Sequence, residues 1–305
     1  MQLSVILVCY DMARELPRTL RSLARDYQEG AAALDYEVLL VDNGSPRPPS
    51  SDQFEDIDVP LRILQVENPD TSPARAINLA LQHATGDIVC LMIDAAHLLT
   101  PGVFRQALSC YRAFPDAVVA IRYFYLGNDE QPVSIMQGYD KAAEDALLSR
   151  IGWPQDGYRL FEIATPLRHG ALLTAWLNRI GETNCLFMKR SLFQSLGGAD
   201  TRFDLPGGGL LNMDICKRAL ESPGVTPVQI IGEGSFHQLH GGISTNSQEE
   251  ARAEMQQRYR EQYRAIRGHD DLLADVTFHH IGQLRTDASN ITARDRRRAR
   301  EQGLL

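Results

Sequence analysis

The chain reads as an α/β fold, a mostly parallel sheet with helices on both faces. Three observations predict it: short runs that are apolar throughout, helix-period segments between them, and polar residues gathered where the apolar runs end. LSVILVC (3–9) is the first strand, and ARELPRTLRSLARDY (13–27) follows with Leu16, Leu20 and Leu23 on one helical face. YEVLLV (36–41) and LRILQV (61–66) are the second and third strands. PARAINLALQHA (73–84) is a helix, with Ser72 as its N-cap and Pro73 at its first position. DIVCLMI (87–93) is a fourth buried strand, PGVFRQALSCYRAF (101–114) a helix and AVVAIRYFY (117–125) a fifth strand.

The second half is less regular. Loops marked by NDEQP, GWPQDG and TPLRHG fill 126–180 around two helical stretches. ETNCLFMKR (182–190) then reads as a strand, SLFQSLGG (191–198) as a short helix with a glycine stop, NMDICKRALES (212–222) as a helix and TPVQIIG (226–232) as a strand. SQEEARAEMQQRYREQYRAIRG (247–268) is a long helix with Ser247 and Glu250 in capping-box spacing and a stripe of Ala251, Met255, Tyr259, Tyr263 and Ile266. Arginines crowd the tail at 293–300.

Composition narrows the function. A net charge of −8 over 305 residues excludes a general nucleic-acid binder, because phosphate contacts need a basic field. A negatively charged ligand would need a few arginines or a cation. The cysteines, Cys9, Cys90, Cys110, Cys185 and Cys216, are odd in number and mostly sit within apolar runs, so they read as buried thiols in a reducing, cytoplasmic setting. The opening MQLSVILVCY lacks a basic leader and reads as a strand rather than a signal. No apolar stretch reaches the about 18 residues of a membrane span.

Ligands of such sheets bind beyond the carboxyl ends of the strands. Those exits carry Cys9-Tyr10-Asp11, Asp42-Asn43-Gly44-Ser45 and Asp94-Ala95-Ala96-His97. Asp42 is either an Asx-type turn residue or an acceptor for a base N–H. Asp94 and His97 are a carboxylate and an imidazole that a manganese ion accepts together. GEGSFHQLHGG (232–242) reads as a glycine-rich loop whose His237 and His240 supply metal or phosphate contacts. After a triple glycine, Asn212 and Asp214 are either a helix cap and a first-turn acid or groups facing a substrate.

Together these stretches resemble the GT-A fold nucleotide-sugar glycosyltransferases, family 2 in particular. SVILVCYDMARELPRTLRSL is similar to that family's opening strand and helix, YEVLLVDNGS to its base-binding strand, and ARAINLALQHATGDIVCLMIDAAH to the helix leading into its DXD strand; ETNCLFMKRSLFQSLGGADTRF is similar to the strand, helix and Gly-Gly turn before the acceptor site. The resemblance implies a nucleotide-sugar donor, a glycan or small-molecule acceptor, a role in polysaccharide biosynthesis and a Mn or Mg cation. Cys9 and Tyr10 then stand on the donor side, Asp42 binds the nucleobase, Asn78 lines the donor site and Asp94 is the first acid of the DXD. His97, His237 and His240 are the further metal candidates. Two positions depart from the pattern. Asp94-Ala95-Ala96 lacks the second acid, and Leu211-Asn212 stands where Glu-Asp is usual.

Asn212 cannot be a general base, so Asp214 turning inward would give inversion, whereas without a carboxylate the leaving diphosphate would take the proton. Family frequency favours inversion. The implied organisation is a glycosyltransferase domain over 1–245, split at 125/126 into donor and acceptor halves, and a helical extension over 246–305 that packs on its own domain or on a second subunit as a homodimer. A sugar nucleotidyltransferase is the enzyme alternative, although CYDMARELPR (9–18) lacks the basic glycine-rich loop of that class. An inactive sugar-binding module is the alternative suggested by the missing acid.

Overall fold

The computed structural model describes residues 2–167, 176, 180–241 and 249–285. In chain order its elements are β1 (Leu3–Cys9), α1 (Leu16–Leu23), β2 (Tyr36–Asp42), β3 (Leu61–Gln65), α2 (Ala74–His83), β4 (Ile88–Met92), β5 (His97–Leu99) and α3 (Val103–Ala113). They continue with β6 (Ala117–Leu126), α4 (Gln131–Met136), α5 (Lys141–Arg150), β7 (Ala164–Pro166), β8 (Leu186–Lys189), α6 (Arg190–Ser195), α7 (Leu211–Leu220), β9 (Thr226–His237), α8 (Glu249–Arg267) and β10 (His279–Gly282).

One sheet runs β10-β9-β6-β8-β4-β1-β2-β3. Its β4-β1-β2-β3 portion is parallel. The strand β8 is antiparallel to both β4 and β6, while β6, β9 and β10 are mutually parallel neighbours. Every residue of β1 is buried, which is why that strand is apolar on both faces. Leu3, Val5 and Leu7 meet α1 and α3 on one face, through Leu16, Leu20 and Phe104. Ile6 and Val8 meet α2 and α7 on the other, through Ile77, Ala80 and Ile215. A smaller aromatic cluster of Phe124, Phe161, Trp176 and Phe236 lies where β6 and β9 extend past the main sheet.

That extension positions the site. The two strands change register between Ile121↔Ile230 and Arg122↔Gly234, so Ile231, Gly232 and Glu233 form a bulge. Gly232 has φ +84°, and a Cβ there would run into the Gln283 carbonyl. Beyond the bulge β9 stays paired to His237, and β5 joins it antiparallel with His97 opposite His237. The expected loop over 232–242 is therefore strand through His237.

In the chain beyond 245, α8 packs back on its own chain. Tyr263 is 2% exposed within the α2/α7 side of the core, and the Tyr259 hydroxyl donates to the Pro206 carbonyl at 2.7 Å. The segment then adds β10 to the sheet edge. Ser247 and the arginines of 293–300 lie outside the described residues. All five cysteines are buried free thiols. Among the described residues no helix is long and apolar enough to cross a membrane.

Candidate metal and donor site

Asp94 leaves β4 and is fixed through its main chain: its N–H donates to Asn184 Oδ1 at 3.0 Å and its carbonyl accepts from Asn184 Nδ2 at 2.7 Å. Its Oδ1 accepts the Ala96 N–H at 2.8 Å, a turn that aims Oδ2 outward. Oδ2 lies 3.0 Å from His240 Nε2 and 3.3 Å from His237 Nε2, and the two imidazole nitrogens are 3.1 Å apart. Three donor atoms thus form a nearly equilateral triangle. Ligands at the metal–nitrogen and metal–oxygen lengths of about 2.0–2.2 Å, taken at right angles, are separated by about 3.0 Å.

The neighbours fix the chemistry of that triangle. His237 Nδ1 faces Gln131 Oε1 at 2.9 Å, and Gln131 Nε2 donates to the His237 carbonyl, which orients the amide and leaves the proton on Nδ1. The neutral ring then aims an Nε2 lone pair at a carboxylate, an arrangement that a cation satisfies. Burial lowers the His237 pKa despite Asp94 and so keeps that ring neutral. Burial also pulls on His240, but Asp94 outweighs it and the pKa is raised. Against the cost of burial, the two histidines hold Asp94 well below the usual carboxylate range.

The turn carrying His240 is clamped by charged groups. The Leu239 N–H donates to Glu144 Oε2 at 2.7 Å, Arg14 Nη1 donates to the Leu239 carbonyl at 3.2 Å, and Arg14 and Glu144 pair at 3.1 Å. Gln238 ties the same turn to β4's exit, its N–H donating to the Ala96 carbonyl at 2.7 Å.

His97 stands behind this group. Among the described residues, the cluster with metal-ligand geometry is Asp94, His237 and His240. The His97 ring is 1% exposed, with Nδ1 2.8 Å from Ser235 Oγ and its edge against His237 and Tyr123 at centroid distances of 4.9 and 4.8 Å. Burial holds its pKa well below the ordinary value, so it packs as a neutral ring. The cause is the strand β5: pairing His97 with His237 puts the two rings side by side instead of on one ion.

At the β2 exit the Asp42 carboxylate closes a turn. It accepts the Ser45 N–H at 3.2 and 3.3 Å, and the Cys9 thiol lies 3.8 Å from Oδ1. Ser45 Oγ in turn accepts the Asp11 N–H at 2.8 Å, tying the β1 and β2 exits together. A cleft of about 180 Å³ opens between them, lined by Cys9, Met12, Ser45, Arg47, Pro49 and Phe54. Tyr10 projects beside it with 57% of its surface exposed. Asn78 is elsewhere: its Nδ2 donates to the Ala199 carbonyl and its Oδ1 accepts the Ala199 N–H, both at 2.8 Å. Both ends of that amide hold the turn after α6, so Asn78 is a brace for the fold.

The two acceptor-side expectations also change. Asp214 is 1% exposed and fully engaged, by Arg267 at 2.6 and 2.8 Å and by Arg218 at 2.8 Å. A carboxylate held by two guanidiniums inside the α7/α8 contact is not placed to receive a substrate proton. Asn212 lies within α7 and caps nothing; its Nδ2 donates to Glu182 Oε2 at 3.3 Å. Sequence reasoning passed over Glu182, which opened a predicted strand. The sequence marks it only by the polar Thr183 and Asn184 beside it in a predicted strand; the structure buries both, and Asn184 holds Asp94.

With this geometry in place, comparison with known proteins is decisive for the family. The profile of "Glycosyl transferase family 2" matches residues 4–195. The chain belongs to glycosyl transferase family 2. It is thus a glycosyltransferase, with the mixed α/β sheet of the GT-A fold. It is 26% identical over 197 residues to the "O-antigen biosynthesis protein RfbC" of Myxococcus xanthus, an alignment covering 64% of this chain and 14% of that protein. The family 2 chain therefore spans a small part of that relative's length. Among solved structures it is similar to S. aureus TarS 1-349 in complex with UDP, with a TM-score of 0.53 and 13% identity over 87% of this chain and 72% of that one. The same protein in complex with UDP-GlcNAc gives a TM-score of 0.51 and 14% identity, covering 99% and 73%. At such identities the likeness is one of fold.

Proposed function

We propose that this family 2 enzyme transfers a sugar from a nucleoside-diphosphate donor to a glycan or small-molecule acceptor in polysaccharide biosynthesis, with a Mn or Mg ion held by Asp94, His237 and His240. The observation that carries the reading is the triangle of donor atoms 3.0–3.3 Å apart at the β4 exit. The nucleobase would enter the cleft beside Cys9 and Ser45, with Asp42 holding its walls together and Tyr10 as an exposed ring against it. When bound, the cation supplies positive charge to the departing diphosphate, which an acidic protein otherwise lacks. Asp94 and the two histidines orient that charge, and the Arg14–Glu144 clamp keeps His240 in place. That the similar TarS structures contain UDP and UDP-GlcNAc makes uridine nucleotides the first donors to test. Five buried thiols support a reducing setting such as the cytoplasm.

Calorimetry with UDP, GDP and dTDP, each with and without manganese, tests the reading. One nucleotide should bind in a manganese-dependent manner. Asp94→Asn should weaken that binding by at least about 100-fold, since even residues behind metal ligands cost 10–100-fold. Failure of all three nucleotides to bind in the presence of manganese overturns the donor-site assignment.

A further inference from the structure

The one carboxylate that the sequence offers as a base, Asp214, is consumed by Arg218 and Arg267, and Asn212 is an amide that cannot take the proton. A different carboxylate lies at the start of α7. Glu182 is partly exposed and takes a hydrogen bond from Asn212 Nδ2 at 3.3 Å, so the amide standing in the usual acidic position presents a neighbouring carboxylate. Two residues further on, Asn184 grips both main-chain groups of Asp94. The short segment 182–184 therefore runs from the α7 N-terminus to the metal-site aspartate. The Tyr123 ring, on the neighbouring strand β6, stacks on His237 at 5.7 Å.

We infer that Glu182 is the general base of the transfer reaction and that Asn212 positions it. The inference rests on the donor-site reading above. In the step it describes, an acceptor hydroxyl gives its proton to the Glu182 carboxylate while its oxygen forms the new bond to the anomeric carbon. The bond from that carbon to the phosphate oxygen breaks, and its electron pair leaves with the nucleoside diphosphate. Attack and departure on opposite faces invert the anomeric centre. Asn212 is a positioning residue, since its hydrogen bond fixes one carboxylate oxygen.

The test uses the full chain, manganese and UDP-GlcNAc, with the sugars of the other nucleotides substituted if calorimetry selects GDP or dTDP; water serves as acceptor and released nucleoside diphosphate is the readout. With manganese saturating at every pH, Glu182→Gln should lower kcat by about 10²–10⁴-fold, the usual contribution of a general base, and remove the acidic limb of the kcat–pH profile. Nucleotide affinity and melting temperature should stay at wild-type values. Glu182→Asp should retain part of the activity and the acidic limb. A Glu182→Gln enzyme that keeps its kcat, or a wild type that binds donor yet releases no diphosphate to water, overturns the role of Glu182 and leaves the donor site standing. Absence of manganese-dependent nucleotide binding in the wild type overturns the donor site itself.

Discussion

His240 is lifted above the ordinary imidazole value of 6.5 because Asp94 outweighs the cost of burying it. Its sign matters for two opposite pH dependences. In the cation-free protein the Asp94–His240 pair stabilises the fold fully below the unfolded-state pKa, and that contribution is lost as pH rises through the raised value. Cation binding needs the deprotonated ring, so affinity is constant above the raised value and falls below it by about tenfold per pH unit for one proton. Manganese titrations at a series of pH values should show this single-proton slope, and His240→Ala should abolish it along with most of the affinity. A pH-independent affinity in the wild type would remove His240 from the ligand set. The contrast with His97 shows what residue-level reading can and cannot do. Its place three residues after Asp94 made it a plausible ligand, yet its role is decided by a strand partner 138 residues away, through Ser235.

At the scale of elements, the α7/α8 contact is held by a buried charge cluster. Asp214 accepts from two arginines while Asp200 pairs with Arg267 at 2.9 Å. Asp214→Ala leaves two guanidiniums without their buried partner and should cost about 3 kcal/mol, at the lower end for a broken buried pair because both arginines are partly exposed. Urea denaturation gives that number, and turnover per folded molecule should remain. Full stability with lost turnover would return Asp214 to the chemistry. The long apolar elements were legible in the sequence: β1, β2, β4, β6, α2 and α3 stand where periodicity put them, within a few residues. The three-residue strands β5 and β7 were not, because their pairing depends on distant segments. The helix α5 was expected only as one of two helical stretches within 126–180, without bounds, and its buried face includes Glu144. A helix that buries a carboxylate to hold Arg14 and the Leu239 N–H presents no apolar stripe to read.

Across the whole molecule, the parallel half and its exits were foreseeable, and Asp94, His237 and His240 were three of four metal candidates, the fourth being His97, which the fold turns away. The sequence did not reveal that β9 runs past its bulge to deliver His237 as strand, or that the chain after 245 adds β10 to the sheet. Both are long-range pairings of short or glycine-interrupted segments. Asp94 and His237 are 143 residues apart in the chain, brought together where β5 pairs with β9 and where β4 joins β9 through β8 and β6. No short fragment of the polypeptide holds both halves of the proposed ion's cradle, and a denatured chain keeps at best the two neighbouring imidazoles. Capture of the ion therefore reports that assembly is complete. Manganese at about 100 times its Kd should stabilise the wild type by about 2.7 kcal/mol and raise its melting midpoint by several degrees, with no such rise in Asp94→Asn. An equal rise in both proteins would mean that the ion has docked somewhere other than this long-range junction.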